Sequence, residues 1–373
     1  MTKNSYISRI IRDNPQNYEQ ILESKQIKIK RSNNLAIFNY DIGADFHDPV
    51  VQEARGIVID TESCDVVCWP FRKFGNYHEP YADRIDWNTA VVQEKIDGSI
   101  IKLWYNHTLN EWQISSNSCI NANEAILQTG KTIASLVQST DEYIGLMQSN
   151  ILDKNNTYIF ELIGPYNQVV IKYDTTQLCL IGIRNNKTGE EFPVNIITNQ
   201  FKIRCPKEYA VTNLNDCIDA ARSLNSNSYP DAEGFVVVDK NWNRIKVKSP
   251  EYLIYHHLMN NGLISKEKAW ELIHTDDFVF EDFAQVASSI QTECVKYYIK
   301  EFEDAKNTAI TVMNKTREFA AKGLSRKDIA MLIKHGRFAY FGFKALDNTL
   351  SPEEILANID TKKFLNFVTD YPV

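Results

Sequence analysis

The chain has 373 residues, which is more than one compact core usually holds, so we expect two domains. Its 43% hydrophobic and 24% charged residues are typical of a globular protein and exclude a disordered one. The net charge of −7 excludes a protein whose whole surface is basic, although it allows a local basic site.

Targeting and metal patterns are absent from the sequence. The N-terminus has no apolar run of the kind that directs secretion, and no segment approaches the roughly 18 apolar residues of a membrane span. Seven cysteines and seven histidines are dispersed without the spacing of a disulfide framework or a zinc site. We therefore expect a cytoplasmic protein with free thiols and no dedicated structural metal.

The first two thirds of the chain are rich in predicted strands, separated by the turn-forming residues Asn, Asp, Gly and Pro. The eight predicted strands are Ala36–Tyr40, Gly56–Asp60, Ala90–Glu94, Ile100–Tyr105, Tyr158–Ile163, Leu178–Ile183, Phe235–Val238 and Ile245–Lys248. Segments 15–25, 121–149 and 213–224 have helical patterns and interrupt the strands irregularly. This order predicts an α+β domain over residues 1–250, built on antiparallel sheets with flanking helices.

From about residue 251 the periodicity becomes helical. Apolar residues recur every three to four positions from Phe283 to Phe302, and Gly323 is placed to end that helix. Ser325 and Ser351 each begin an N-terminal capping pattern. We interpret the aromatic stripe as core rather than as a base-stacking surface, and we predict an all-helical C-terminal domain over residues 251–373.

The most informative segment is the strand pair around Lys95. Lys95 ends one β-patterned run, Asp97 and Gly98 form a turn, and a second apolar run follows Ser99 directly. Taken alone, a Lys-x-Asp-Gly string also fits an ordinary hairpin with a solvated lysine, because Asp-Gly is a strong hairpin signal.

Other charged residues at strand ends accompany this segment in a fixed order. They are Glu53 with Arg55-Gly56, then Lys95-x-Asp97-Gly98-Ser99, Glu161, Arg184, Glu233-Gly234 and finally Lys246-x-Lys248. This order resembles the covalent nucleotidyltransferase superfamily, which comprises ATP-dependent RNA and DNA ligases and mRNA capping enzymes. The resemblance implies an N-terminal nucleotidyltransferase (adenylyltransferase) domain.

Finer features are similar to one branch, the phage RNA ligase 1 family. Tyr40 precedes the Arg55 motif, and the run from Pro70 to Asn76 resembles that family's Pro-x-x-Lys-Phe-Phe-Asn element around Lys73. Lys248, Tyr252 and His256 repeat its later spacing. The resemblance covers essentially the whole chain and is weaker after about residue 280.

The chemistry explains why lysines are needed. An amine that attacks the α-phosphorus of ATP must be deprotonated, yet the pKa of a free lysine is about 10.4. Nearby cations lower that pKa, and we nominate Lys246 and Lys248 for this role at Lys95. Strand alternation puts Arg244, Lys246 and Lys248 on one face.

The resemblance implies the remaining roles. Asp97, Glu161 and Glu233 are expected to act with Lys95, Lys246 and Lys248 in catalysis and to hold Mg²⁺ or Mn²⁺. Asp276 is a further expected metal ligand, with a helix-capping role as the alternative. Tyr252 is expected to support the substrate. The expected nucleotide-binding residues are Tyr40, Glu53, Arg55, Lys73, Lys95, Gly98, Ser99, Glu161, Arg184, Glu233, Lys246 and Lys248.

Two departures and one rival motif qualify this interpretation. The sequence has Ser115-Ser116-Asn117-Ser118 where the family places a lysine, which can shift the phosphate contact to Lys102 or another residue. Gly75 replaces an aromatic residue of the family's Lys-Phe-Phe-Asn element. The segment from Ala125 to Thr132 satisfies a loosened phosphate-loop pattern, but its helical flanks favour a break at Gly130 instead.

The sequence therefore predicts an ATP-dependent RNA ligase. In the implied reaction, Lys95 forms lysyl-AMP, AMP moves to an RNA 5′-phosphate, and a 3′-hydroxyl then releases AMP. The expected partners are RNA ends, possible tRNA substrates included, and a polynucleotide kinase-phosphatase that heals the ends. We expect a monomer whose helical domain docks RNA. A DNA ligase, a capping-type enzyme and an inactive RNA-binding relative are the alternatives.

Overall fold

The computed structural model describes residues 5–41, 43–127, 130–198, 200–224, 230–258, 264, 266–273, 280, 283–284, 287, 289–359, 364 and 367–368. The chain divides into two compact units, Met1–His256 and His257–Val373. Among the described residues, no helix combines the length and apolar composition needed to cross a membrane.

The first sheet of unit 1 lies next to the N-terminal helices. Its strands are β1 (Ile27–Ser32), β2 (Leu35–Tyr40), β3 (Arg55–Asp60) and β4 (Val66–Cys68), paired in that order. The helices are α1 (Tyr6–Asp13), α2 (Tyr18–Ser24) and α3 (Pro49–Glu53). Apolar residues of these helices, including Ile7, Ile11 and Leu22, share a buried core with Phe38 and Ile57 of the sheet.

The second sheet carries the longest strands. Its order is β10 (Glu191–Phe192), β9 (Gln177–Asn185), β8 (Asn156–Ile163), β6 (Ser99–Asn106) and β7 (Glu111–Ser116). Helices α4 (Ile133–Gln138) and α5 (Asp141–Ser149) pack on it and share the largest apolar cluster of the molecule. The short helix α6 (Asn195–Thr198) follows β10 and adds Ile197 to the same cluster.

The third sheet holds the residues around Lys95. Its order is β11 (Glu208–Tyr209), β5 (Val91–Glu94), β12 (Gly234–Val238) and β13 (Arg244–Lys248). Helix α7 (Leu214–Arg222) packs on one face, where Ile245 and Val247 are buried with Phe235. All strand pairs in the three described sheets are antiparallel, which confirms the predicted α+β class.

The second and third sheets meet through a small aromatic cluster. Phe71 and Phe74, which follow β4, pack with Ile159 and Ile181 of the second sheet and with Val236 of the third. The turn between β5 and β6 connects the same two sheets. Lys95 lies in that turn, so its position depends on how the sheets pack.

Unit 2 is helical in its described part. Helices α9 (Lys266–Ile273), α10 (Ser289–Ala321), α11 (Arg326–Ile333), α12 (Ala339–Leu346) and α13 (Pro352–Ala357) follow α8 (Pro250–Leu258), which begins in unit 1. Gly323 follows α10 at φ +84°, and Ser325 caps α11. Ser351 and Glu354 form the predicted reciprocal capping box. Within the predicted stripe, Phe283 is buried but Ile290 is exposed, so the stripe is only partly core.

Each of the eight predicted strands is present, with ends that differ by at most two residues. The five strands that were not predicted, β1, β4, β7, β10 and β11, all lie at sheet edges. An edge strand has a neighbour on one side only and needs less apolar sequence, so its pattern is weaker. The predicted helix over 121–149 is broken: a 3₁₀ turn (Ala122–Glu124) precedes α4, and Thr132 caps α4 rather than forming a phosphate loop after a strand.

Candidate active site

Lys95 follows β5 directly and contacts the start of β12. Its backbone N–H donates to the Gly234 carbonyl at 2.9 Å, and its Nζ donates to Oε2 of Glu233 at 2.7 Å. The other oxygen of Glu233 lies 3.1 Å from Nζ of Lys248. Glu233 is only 3% exposed, so it holds two lysines together in a nearly dry environment.

Strand β13 presents its cations as the alternation predicts. Lys246 and Lys248 line the cavity beside Lys95, whereas Ile245 and Val247 are buried on the opposite face. Lys246 pairs in register with Val236, and Lys248 pairs with Gly234. Burial, reinforced by Arg55 and Lys73 and by the two other lysines, holds the pKa of Lys246 well below its ordinary value.

The pKa of Lys95 lies above its ordinary value here, although neighbouring cations and a bound metal were expected to lower it. Burial alone would lower it, but the charges of Glu233, Glu161 and Asp97 outweigh burial and raise the pKa of Lys95 above its ordinary value. The same ion pairs outweigh the effect of burial on Glu233 and lower the pKa of its carboxyl. The sequence identified the cations correctly, but it could not show that a carboxylate lies between them.

Glu161 enters the same cavity from β8. It is 8% exposed and pairs in register with Ile100, so the second sheet carries it towards Lys95. Burial, assisted by repulsion from Glu233, raises the pKa of Glu161 to about 8, although Lys95 and Arg55 oppose that shift. A bound cation would offset the cost of ionising this carboxyl.

Asp97 has an anchoring role in this structure, beside the metal-associated role expected from the sequence. Its Oδ2 accepts backbone hydrogen bonds from Val170 at 2.8 Å and Ile171 at 2.7 Å, and its Oδ1 accepts one from the Tyr252 hydroxyl at 2.7 Å. Both oxygens are therefore occupied by the protein. Asp97 fixes the turn after Lys95 to α8 and to the 170–171 loop, and Tyr252 acts in that anchor.

A divalent cation fits this site through few protein ligands. No group of three or more Asp, Glu, His or Cys residues with metal-binding geometry occurs among the described residues, and Asp276 lies outside them. Mg²⁺ usually takes one or two carboxylates together with phosphate oxygens, so Glu161 alone can serve it beside a nucleotide. Glu233 is engaged by two lysines and fits this role less well.

The cavity beside Lys95 has an apolar wall that the sequence did not reveal. Apolar side chains from five parts of the chain form it: Phe71 and Phe74, Ile96 and Ile100, Ile181, Pro206 and Val236. Phe74 lies under two cations, with its ring centre 5.3 Å from Arg55 and 5.0 Å from Nζ of Lys246. An apolar slot next to a cluster of cations can accept the base and the phosphates of a nucleotide.

Arg55 lines this cavity, while Tyr40 and Lys73 lie just outside it. Nζ of Lys73 lies 5.5 Å from the ring centre of Tyr40 and 4.8 Å from that of Phe46. Burial, with repulsion from Arg55 and Lys248, lowers the pKa of Lys73. Lys73 therefore extends the positive field of the site without lining the cavity, and the Tyr40 ring packs against it.

Glu53 and Arg184 are placed elsewhere, which corrects their predicted nucleotide contacts. Glu53 accepts hydrogen bonds from the Ser5 hydroxyl at 2.8 Å and the Ile7 N–H at 2.9 Å, so it caps α1. Arg184 donates to the carbonyls of Gly189 and Pro70. Both residues line a second cavity rather than the one beside Lys95. In a sequence alone, a capping acid and a ligand-binding acid look the same.

Gly98 and Ser99 shape the turn rather than line the cavity. A Cβ on Gly98 would lie 2.3 Å from the Leu162 carbonyl, so only glycine lets β6 approach β8 at this point. The Ser99 hydroxyl donates to Asn167 at 3.0 Å. Close packing also explains the glycine at position 75, because an added Cβ would lie 3.1 Å from the Tyr81 ring. The Gly75 carbonyl accepts from the Lys246 backbone N–H at 3.0 Å.

Lys102 does not provide the phosphate contact considered from the sequence. It is fully buried, and its Nζ donates to the Gly56 carbonyl at 2.6 Å. Burial lowers its pKa to about 8. Lys102 therefore supports the backbone next to Arg55 instead of reaching the cavity.

The sequence of the chain is similar to those of several known proteins. A model of a family described as RNA ligase matches residues 53–252. A putative bifunctional polynucleotide kinase/RNA ligase of Autographa californica nuclear polyhedrosis virus is 28% identical, over 81% of this chain and 44% of that protein. A putative RNA ligase of Thermovibrio ammonificans is 28% identical, over 64% and 62%. An RNA ligase of Rhodothermus phage RM378 is 24% identical, over 72% and 74%. The chain thus spans about half to three quarters of the length of these relatives.

Proposed function

Because the chain belongs to the RNA ligase family, we propose that it is an ATP-dependent RNA ligase with Lys95 as its nucleophile. The observation that supports this most directly is the position of the Lys95 amine. It lies in a cavity that also contains Lys246, Lys248 and Glu161 and that has an apolar slot beside it. These residues come from distant parts of the chain, and a solvated hairpin lysine would have no such surroundings.

In the first step, Nζ of Lys95 attacks the α-phosphorus of ATP, the N–P bond forms, and the P–O bond to pyrophosphate breaks. Lys95 must lose its proton first, and the hydrogen bond to Glu233 holds the amine in place until then. Lys246, Lys248 and Arg55 supply positive charge where the phosphoryl oxygens gain negative charge. A bound Mg²⁺ or Mn²⁺ would neutralise the leaving pyrophosphate, with Glu161 as its protein ligand.

In the second step, an oxygen of the RNA 5′-phosphate attacks the phosphorus of lysyl-AMP, and the N–P bond breaks. Lys95 is released as an amine. In the third step, an RNA 3′-hydroxyl attacks the 5′-phosphorus of the adenylylated end, so the new phosphodiester bond forms and AMP leaves. The cations of β13 remain beside the phosphorus in each step, which explains why one site can serve all three.

We further propose that the substrate is RNA with 5′-phosphate and 3′-hydroxyl ends, tRNA fragments included. The viral relative is described as a putative bifunctional polynucleotide kinase/RNA ligase, which supports our proposal that a kinase-phosphatase prepares ends for this chain. Action as a monomer in the cytoplasm, or in the host cytoplasm if a phage encodes the chain, belongs to the same proposal. We also propose that the helical unit 2 docks the RNA.

The direct test uses ATP labelled at the α-phosphate with the full chain and Mg²⁺. Wild type is expected to retain a covalent label, and Lys95→Ala is expected to lose it. Lys187→Ala is a matched control, because Lys187 is an exposed lysine of a β-turn outside the site. Absence of label on wild type would contradict the proposal and favour an RNA-binding relative without activity. Labelling with GTP instead of ATP would favour a capping-type enzyme.

A further inference from the structure

A second cavity in unit 1 adjoins the one beside Lys95. The two share Phe71, Phe74 and Arg244 in their walls. The second cavity has a volume of about 640 Å³, which lies within the roughly 300–1,000 Å³ of small-molecule sites. The ATP-dependent first step leaves it without a role, because the residues assigned to that step line the other cavity or lie next to it.

Aromatic rings and guanidinium planes alternate along its wall. Arg244 lies between two rings, with its guanidinium carbon 4.2 Å from the Phe71 centre and 5.6 Å from the Trp242 centre. Arg184 lies 4.5 Å from the centre of Trp69. Flat aromatic and guanidinium surfaces are the platforms on which unstacked nucleobases bind.

Acidic and basic side chains are mixed in the lining of this cavity. Arg72 donates to both oxygens of Asp83 at 2.6 and 2.8 Å, and Arg244 donates to Glu191 at 2.6 Å. Each of these arginines therefore carries a carboxylate beside it. A nucleobase has both donors and acceptors on its edges and fits such a mixed lining.

Trp69 also lines this cavity and is only 3% exposed. Its indole N–H is buried and has no hydrogen-bond partner among the described residues. A buried donor without an acceptor is costly, so this wall of the cavity is not optimised for stability alone.

The backbone of Trp242 has an unusual conformation. Trp242 has φ +64° in the turn between β12 and β13, and its backbone N–H donates to the Asp239 carbonyl at 2.9 Å. Hairpin turns of this kind favour glycine at the left-handed position, because a side chain there is strained. A bulky residue at that position is an outlier, and such outliers often occur at binding sites.

We propose that this second cavity binds an unstacked nucleobase of the RNA strand that is to be joined, with the Trp242 ring as its stacking surface and Arg244 as the support of that ring. The inference rests on the proposed ligase function and names a substrate contact for it. The shared wall places the base next to the cavity in which the 5′-phosphate receives AMP.

The test is Trp242→Gly in the full chain, because glycine relieves the backbone strain and the variant is expected to fold at least as well as wild type. Binding of a 5′-phosphorylated single-stranded RNA oligonucleotide is expected to weaken about tenfold. Labelling of Lys95 from ATP is expected to be unchanged. Asn110→Gly is the matched control, since Asn110 has φ +54° in the β6–β7 turn, and it should bind RNA as wild type does.

A series of oligonucleotides with one abasic position each, moved along the strand, identifies the ligand group. At one position, removal of the base should weaken binding to wild type about tenfold relative to the intact oligonucleotide. The same removal should leave binding to Trp242→Gly unchanged, because that variant has already lost the contact. If Trp242→Gly binds RNA as tightly as wild type, or if every abasic oligonucleotide loses the same factor with both proteins, the nucleobase site is refuted. Failure of wild type to form lysyl-AMP would instead refute the ligase proposal, so the two failures can be told apart.

Discussion

Asp97 shows how one residue of a catalytic motif can serve the fold. Its position two residues after Lys95 suggests a metal-binding role, yet its oxygens accept two backbone N–H groups and the Tyr252 hydroxyl. A buried carboxylate with three donors is well satisfied, and its loss would leave those donors without partners. The motif therefore needs the acid to fix the nucleophile's turn.

Asp97→Ala is expected to lower the free energy of unfolding by about 3 kcal/mol, because three buried donors lose their acceptor. Asp97→Asn is the matched variant: the amide oxygen can still accept the backbone hydrogen bonds, and the Tyr252 hydroxyl can turn to accept from the amide. It is expected to lose about 1 kcal/mol. Denaturant unfolding measures both values. An Asp97→Ala chain as stable as wild type would contradict the anchoring role.

The raised pKa of Glu161 predicts that the stability of the chain depends on pH. Its pKa is about 8 in the folded chain against an ordinary value of 4.5, so the folded state binds more protons between these values. The free energy of unfolding therefore falls as pH rises through that range. Glu161→Gln removes this loss, and we expect it to be more stable than wild type at pH 8.5 by on the order of 3 kcal/mol but not at pH 4.

The measurement is denaturant unfolding of both proteins at pH 4 and pH 8.5, with Glu190→Gln as the control, because Glu190 is an exposed carboxylate. Equal pH dependence in wild type and Glu161→Gln would contradict the prediction. Loss of lysyl-AMP formation in Glu161→Gln together with its greater stability at high pH would show a carboxylate retained for function.

At the scale of elements, the turn between β5 and β6 decides where the nucleophile lies. Lys95 is fixed to the third sheet through Gly234, and Gly98 lets the chain enter the second sheet against β8. A short turn between two sheets restricts the lysine more than a hairpin within one sheet would.

Gly98→Ala is expected to destabilise the chain by about 2 kcal/mol and to reduce lysyl-AMP formation, because the new Cβ would lie 2.3 Å from the Leu162 carbonyl. Gly145→Ala in α5 is the matched control. Nothing lies within 4 Å of a Cβ at that position, and alanine favours the helix by roughly 0.5–1 kcal/mol. Thermal unfolding and ATP labelling measure both effects. Equal behaviour of the two variants would contradict the role of Gly98.

At the scale of the whole molecule, the residues of the candidate site all belong to unit 1. They come from the second and third sheets and from the segment after β4, which carries Phe71 and Phe74. The separate helical core of unit 2 leaves that unit available for another task.

A chain shortened to residues 1–258 is therefore expected to keep ATP labelling of Lys95, because α8 with Tyr252 is retained. If unit 2 docks RNA, the shortened chain should bind RNA at least tenfold more weakly, which corresponds to about 1.4 kcal/mol. Its cooperative unfolding should be measured alongside, with full-length Lys95→Ala as the control for labelling. Unchanged RNA binding by the shortened chain would refute the docking role.

Sequence periodicity predicted the central strands and the edge strand β13 because their apolar or alternating patterns are local properties of the chain. Edge strands such as β7 and β11 were missed because a strand that pairs on one side only does not need a strongly apolar sequence. The late lysines were placed correctly because strand alternation is a local property. Glu53 and Arg184 were misplaced because local sequence does not say which partner a buried charge meets.

The sequence by itself determined the class of fold, the order of the charged strand ends and the identity of the lysine at the β5–β6 turn. These features follow from local hydrophobic pattern and turn chemistry. Only the tertiary structure decided that Glu233 lies between two lysines, that Asp97 is an anchor, and that a second aromatic cavity adjoins the first. Contacts between residues of different sheets and loops are set by how those elements pack, which no local pattern encodes.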